Sequence, residues 1–527
     1  MPESLESQHR DIERMTSLGL LAKNAAANLI QPGIGWLVLL VLSPILVRVL
    51  DTATYGTWML LLQIGAYFTV VDGTIQLTIT HFVSRARGTG DREYMRRMLT
   101  TAEVVLLVMG ALAAVTSWLV AWRLGFVFKD IPRTILSDAS AALIFIGCAI
   151  GSALPFSTLA GSFRAYQKNE LSAIATVTGK VVGALGIGWA AFHHEGLARM
   201  AVWWAIGNLI SPALLLIFWS RWRDRVTIRL SNVSPRAIRE FLGFGGSLII
   251  AQLCGLLITG LDMPVVAAFA FPAAAYYALA STVTSMVTVP QIAITSVVFP
   301  VTSAMSGLAS PARMGSALIK FSRYSTAIQL LLTLPLVAGM SILLRLWVGP
   351  VYAKYSLPLA MVLVVSQFVR TTLRPFAMVS LSAGQQTKIL LSPISEGAVN
   401  LSVSLVLVHW MGAIGVAIGT LVGAFVGVAV HLTVSIKLID HAVHVDRGRL
   451  LAEGILRPML CAAPASILLA WMYVENISTP FYVIGIATGM AITALLLYVW
   501  NFKAEERTDL HRLARRCMGL SAVAGAQ

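Results

Sequence analysis

The chain has 527 residues, of which 57% are hydrophobic and only 12% charged. A soluble globular domain carries about 25% charged residues, so this composition excludes a water-soluble enzyme core and points to apolar segments that cross a bilayer. The formal net charge of +15 reads as a topology signal and not as a nucleic-acid surface, because the basic residues sit in loops between apolar runs.

In chain order, residues 1–26 mix acids and bases, and the first apolar run is too long for a secretory signal core. Residues 10–26 are expected to form an interfacial amphipathic helix. Fourteen spans then follow, near 27–47, 57–80, 99–122, 139–161, 174–192, 199–220, 240–262, 277–303, 323–345, 358–383, 389–409, 412–436, 452–473 and 480–501. Each has the roughly 20 apolar residues that a membrane-crossing helix needs.

Lys and Arg sort between alternate loops, with 29 of the 39 on the side of the N-terminus, 7 on the other and 3 within spans. The richest segments are 81–98, 221–239 and the tail. By the positive-inside rule both termini are expected to be cytoplasmic. Trp118, Trp122, Trp219, Trp347 and Trp500 lie near span ends, as interfacial anchors do.

A weak internal repeat relates LVRVLDTATYGTW (46–58) to VAAFAFPAAAYYAL (266–279). The offset is six spans, so the two halves share one orientation, as in parallel-repeat transporters. The expected organisation is an N-terminal segment 1–26, an N-lobe 27–220, a basic linker 221–239, a C-lobe 240–437, a helix pair 438–502 and a tail 503–527. The fold class is all-α and polytopic: two six-helix lobes around a central cavity, plus two C-terminal helices.

An ionisable group in hydrocarbon costs about 2.5–3.5 kcal/mol on insertion scales, so those that occur face a cavity or a partner. Arg370 and Arg374, four residues apart in the tenth span, are read as one helix face and a cationic patch suited to phosphate, whose oxygens match the guanidinium fork. The bland alternative is an ion pair with Glu396. Lys180, mid-way along the fifth span, is expected to line the same cavity or to snorkel. Glu396 is read as an ion-pair partner or a coupling group. Asp72 is read as structural by default, paired with Arg85 or Arg87 or capping a break at Gly73, with a coupling role as the alternative, and Asp262 as structural at the end of the seventh span. Cys148, Cys254, Cys461 and Cys517 lack metal-ligand spacing. No metal, cofactor or nucleic-acid partner is expected.

Several segments together resemble the oligosaccharide (O-antigen, Wzx-type) flippases, in the superfamily that also holds lipid II flippases and multidrug and toxin extruders. They are PILVRVLDTATYGTWMLL (44–61), VVDGTIQLTITHFVSRARGTGD (70–91), LDMPVVAAFAFPAAAYYALAS (261–281), LLRLWVGPVYAKY (343–355), SLSAGQQTK (380–388) and EGAVNLSVSLVLVHWMGAIGVAIGT (396–420). Order and spacing carry the resemblance over most of residues 20–440. It implies alternating access in a two-lobed bundle of the bacterial inner membrane, and a polyprenyl-pyrophosphate-linked oligosaccharide as cargo. A polysaccharide polymerase and chain-export proteins are the neighbours it suggests. Within it, Arg370, Arg374 and Lys180 are candidates to hold the pyrophosphate. A drug exporter, which should line its cavity with acids, and a membrane glycosyltransferase or polymerase are the competing readings.

Overall fold

The computed structural model describes residues 18–222, 235–306, 310–504 and 506–508. Most of the basic segment 221–239, the expected interfacial segment before Leu18, and Arg512, Arg515, Arg516 and Cys517 lie outside them. The described residues are helical throughout, with no strand among them.

The first half of the chain runs through α1 (Leu18–Val49), α2 (Thr52–Thr89), α3 (Arg92–Trp122), α4 (Arg133–Ala153), α5 (Ser157–Ala165), α6 (Asn169–Phe192) and α7 (Gly196–Ser220). Local chemistry marks several boundaries. Asp51 caps α2 by accepting from the Thr54 N–H at 2.6 Å. Gly90, at φ +71°, ends that helix in the left-handed conformation, and Asp91 immediately caps α3. A stop glycine followed by a start aspartate makes this hairpin tight. Between α4 and α5 a single 3₁₀ turn at Leu154–Phe156, holding Pro155, bends the span without ending it.

The second half holds α8 (Pro235–Thr259), α9 (Asp262–Phe269), α10 (Ala274–Met305), α11 (Pro311–Ala338), α12 (Met340–Val348), α13 (Pro350–Thr371), α14 (Arg374–Ser382), α15 (Leu391–Met411), α16 (Ala413–Val430), α17 (Arg457–Val474) and α18 (Thr479–Leu496). Ten spans among the described residues are long and apolar enough to cross a membrane, or eleven if α11 and α12, bent by 64°, are one broken span. Pro335 and Gly339 explain that bend. By this measure the expected fourteen becomes ten or eleven; the other expected spans fall on α1, α8 and α10.

The chain forms two compact units. Unit 1 takes residues 1–285, 347–359 and 396–423, and unit 2 takes 286–346, 360–395 and 424–527. In unit 1, glycines let helices approach to backbone contact: a Cβ on Gly179 of α6 would run into the carbonyl oxygen of Gly207 of α7, and one on Gly110 of α3 into that of Gly151 of α4. Small residues at such crossings are the packing mode of membrane helices. Asp138 of α4 accepts from the Leu197 and Ala198 N–H groups, capping α7 from a neighbouring helix. Leu112, Val115, Trp118 and Trp122 of α3 point outward, more than half exposed, as lipid-facing residues would. Trp118 stacks on Trp122. Trp219, expected as an interfacial anchor, is instead buried edge-on against Phe163.

Unit 2 packs around Met314, Leu318, Phe376, Val379, Ile439 and Val443. Beside this core Arg323 of α11 is 2% exposed and binds two carboxylates, Glu453 at 3.0 Å and Glu506 at 2.9 Å. Arg449 and Lys503 also reach Glu453, at 3.2 and 3.5 Å. This network ties the last two helices, which lie outside the sequence repeat, to α11.

Candidate functional site

Within unit 1 a cavity of about 620 Å³ is lined by α1, α2, α5, α6 and α7, in the size range of pockets for drug-sized ligands. The local sequence GKVVG (179–183) sets its chemistry. Gly179 and Gly183 form the seam against Gly207 of α7. Lys180, one position on and so rotated by about 100°, faces the cavity. It is the twelfth of the 24 residues of α6, so at 1.5 Å per residue it lies roughly 16–18 Å from either end. Its ammonium rests in the notch left by Gly35 of α1, where any Cβ would collide with it.

Arg164, in the last turn of α5, lines the same cavity. Its side chain and that of Lys180 form no hydrogen bond or ion pair among the described residues. Asp72 of α2 lines it too. Its carboxylate accepts from the Ser157 hydroxyl and, at 3.0 Å, from the Gln76 amide. Arg164 is near enough to interact with it electrostatically. The expected pairing of Asp72 with Arg85 or Arg87 is not what forms. Arg85 lies 3.7 Å from Glu240, and Arg87 donates to the Ala165 carbonyl at 2.7 Å, which closes the C-terminal end of α5. Nor does Gly73 break α2, which is continuous from Thr52 to Thr89.

Arg164 and Glu103 were not found from sequence. Arg164 falls just past an expected span end at residue 161, in a segment read as inner loop. The helix resumes after Pro155 and carries it back to the cavity. Glu103 lies inside α3 and accepts from Thr158 at 2.8 Å, fixing α5 from behind. The signal available was an acid within an apolar run.

The other expected site residues lie elsewhere. Arg370 and Arg374 belong to unit 2. They are not on one regular helix: α13 ends at Thr371 and α14 starts at Arg374, because Pro375 cannot donate to the preceding turn. Four-residue spacing therefore does not place them on one face as in an unbroken helix. Arg370 donates to the Gln367 side chain at 3.3 Å. Glu396 belongs to unit 1 and is 6% exposed.

Asp262, also buried, collects hydrogen bonds from Tyr277 at 3.2 Å, Asn400 at 3.1 Å and Thr420 at 3.0 Å. It cross-links α9, α10, α15 and α16 within unit 1, consistent with a structural reading. No group of three or more His, Cys, Asp or Glu gathers among the described residues.

Apolar spans, outward-facing hydrophobic residues and a cavity lined by two cations and one carboxylate define a polytopic membrane protein. The chain belongs to the polysaccharide biosynthesis protein family, whose family model matches residues 21–306. No curated protein is significantly similar to it in sequence. Among solved structures, the lipid II flippase MurJ in an inward closed conformation aligns with 93% of this chain and all of its own, at TM-score 0.68 and 12% identity. An inward-facing multidrug resistance MATE transporter of the MOP superfamily aligns over 76% of this chain and 95% of its own, at TM-score 0.61 and 15% identity. A MOP superfamily transporter from Pyrococcus furiosus, described as having a binding pocket of reverse polarity, aligns over 78% and 93%, at TM-score 0.57 and 15% identity. At these identities the likeness is one of fold.

Proposed function

We propose that the chain is a flippase, not an enzyme, that carries a polyprenyl-pyrophosphate-linked oligosaccharide from the inner to the outer leaflet of the bacterial cytoplasmic membrane for polysaccharide assembly. One observation carries this reading. A member of the polysaccharide biosynthesis protein family sets two cations, Lys180 and Arg164, against a single carboxylate, Asp72, in the lining of one cavity. A cation within an apolar span needs a cavity or an anion to receive it, and here the cations outnumber the acid. A pyrophosphate supplies that anion, with the Arg164 guanidinium offering a planar fork of donors and Lys180 a compact charge. A cavity for cationic drugs should have acids in excess, and this one has cations in excess.

In the proposed cycle the headgroup enters from the cytoplasmic side, where both termini lie, while the lipid tail stays in the bilayer. Arg370 and Arg374 are proposed as further cations, in unit 2, that act on the same class of substrate. A polymerase and chain-export proteins are the proposed consumers of the product.

The test is a clean gene deletion followed by lipid extraction. Accumulation of a polyprenyl-pyrophosphate oligosaccharide on the inner leaflet, with loss of surface polysaccharide, is expected. Wild type should restore export, and inserted but charge-free Lys180→Met and Arg370→Ala should not. Unchanged polysaccharide and no accumulation would refute the flippase reading; full restoration by a variant would remove that residue's role.

A further inference from the structure

Among the described residues, Asp72 is the one carboxylate in a cavity whose other charged groups are Lys180 and Arg164. A negative charge facing an anion site opposes binding, so its presence calls for a physical reason. It does not serve as a contact ion pair. Both carboxylate oxygens are engaged by neutral donors, Oδ1 by the Ser157 hydroxyl and Oδ2 by the Gln76 amide. Gln76 lies one turn along α2 and Ser157 opens α5, so two elements pin the group from two sides. Among the described residues it forms no ion-pair contact with the Arg164 guanidinium, while its field still reaches that group.

We propose that Asp72 is the release residue of this cavity: a tethered negative charge that weakens the hold of Lys180 and Arg164 on a diphosphate, so that the bound anion can leave. The proposal rests on the anion-binding reading above and deepens it. A carrier must bind well enough to load and weakly enough to unload. With Asp72 ionised the three groups sum to +1, and without it to +2. The tether matters as much as the charge, because a carboxylate free to reach Arg164 would occupy the donors that the ligand needs.

Two substitutions therefore have opposite signs. Asp72→Asn keeps the shape and removes the charge. The purified full-length protein should then bind inorganic pyrophosphate, titrated calorimetrically at low ionic strength, on the order of tenfold more tightly, and should flip lipid-linked substrate more slowly in vesicles. Ser157→Ala releases one side of the tether and should weaken pyrophosphate binding several-fold. Unchanged or weaker binding by Asp72→Asn at wild-type melting temperature overturns the proposal. If Asp72→Asn does not fold, unchanged or tighter binding by Ser157→Ala overturns it instead. Lys180→Met separates this from the parent reading. Pyrophosphate binding indifferent to Lys180→Met refutes the anion cavity itself, and binding lost in Lys180→Met but unaltered in Asp72→Asn refutes only the release role.

Discussion

Arg323→Met should loosen the C-terminal helices from α11. The guanidinium is 3% exposed and makes charge-assisted hydrogen bonds to Glu453 at 3.0 Å and Glu506 at 2.9 Å. The two carboxylates would not suffer equally. Glu453 keeps Arg449 and Lys503. Glu506 is 4% exposed and, among the described residues, keeps only the Lys503 backbone N–H at 2.9 Å among its hydrogen bonds. Stranding a buried charge costs about 3–5 kcal/mol, against about 0–1 kcal/mol for a solvent-exposed pair. Most of that penalty should fall on Glu506, so adding Glu506→Gln to Arg323→Met should recover about 1–3 kcal/mol, a coupling typical of contacting groups. The assay is hydrogen exchange of the purified protein in detergent, read at the end of α18 and at Leu497–Asn501, where local opening reports local stability. Exchange there that matches wild type in Arg323→Met, or a double variant no better protected than the single, would refute a buried network.

Gly35→Ala should leave the fold intact, because the atom it meets is the far end of a flexible lysine; it should lower pyrophosphate binding several-fold by pushing the Lys180 ammonium from its notch. Gly207→Val meets the backbone of α6 instead, and overpacking of this kind costs about 1–3 kcal/mol, read as a lower melting temperature in detergent. Asp262→Ala removes the shared acceptor of Tyr277, Asn400 and Thr420. At about 1–3 kcal/mol per stranded buried donor, it should destabilise unit 1 more than Asp262→Asn, as compared by thermal unfolding.

The helical spans were legible because hydrophobic length is a one-dimensional signal: a bilayer demands about 20 apolar residues whatever lies beside them. Lys180 was legible for the same reason, as a charge that stands out in the middle of such a run. Arg164 was hidden by a proline. Pro155 reads as the approach of a loop, but one 3₁₀ turn absorbs it and the helix goes on. Arg323 sits at the edge of an expected span and looked like a loop cation; its partners lie 130 and 183 residues away, a distance that no local pattern encodes. Pro375 had the reverse effect on Arg370 and Arg374, whose spacing reads as one face only on an unbroken helix, and the regular helix is interrupted between them. The partners of Asp72 were misjudged because neighbouring arginines were visible in sequence, while the serine 85 positions on that binds it was not.

The seam between α6 and α7 bears on how such a protein can change what it carries. The glycines that let two backbones touch and the lysine set between them are adjacent in sequence but answer to different demands. Bulk at 179, 183 or 207 meets a neighbouring backbone, whereas positions 180 and 164 bring charge to the cavity lining. Scaffold and selector are thus separable. On the proposed reading, two codon changes at these positions would alter the charge offered to the cargo without touching the glycine seam.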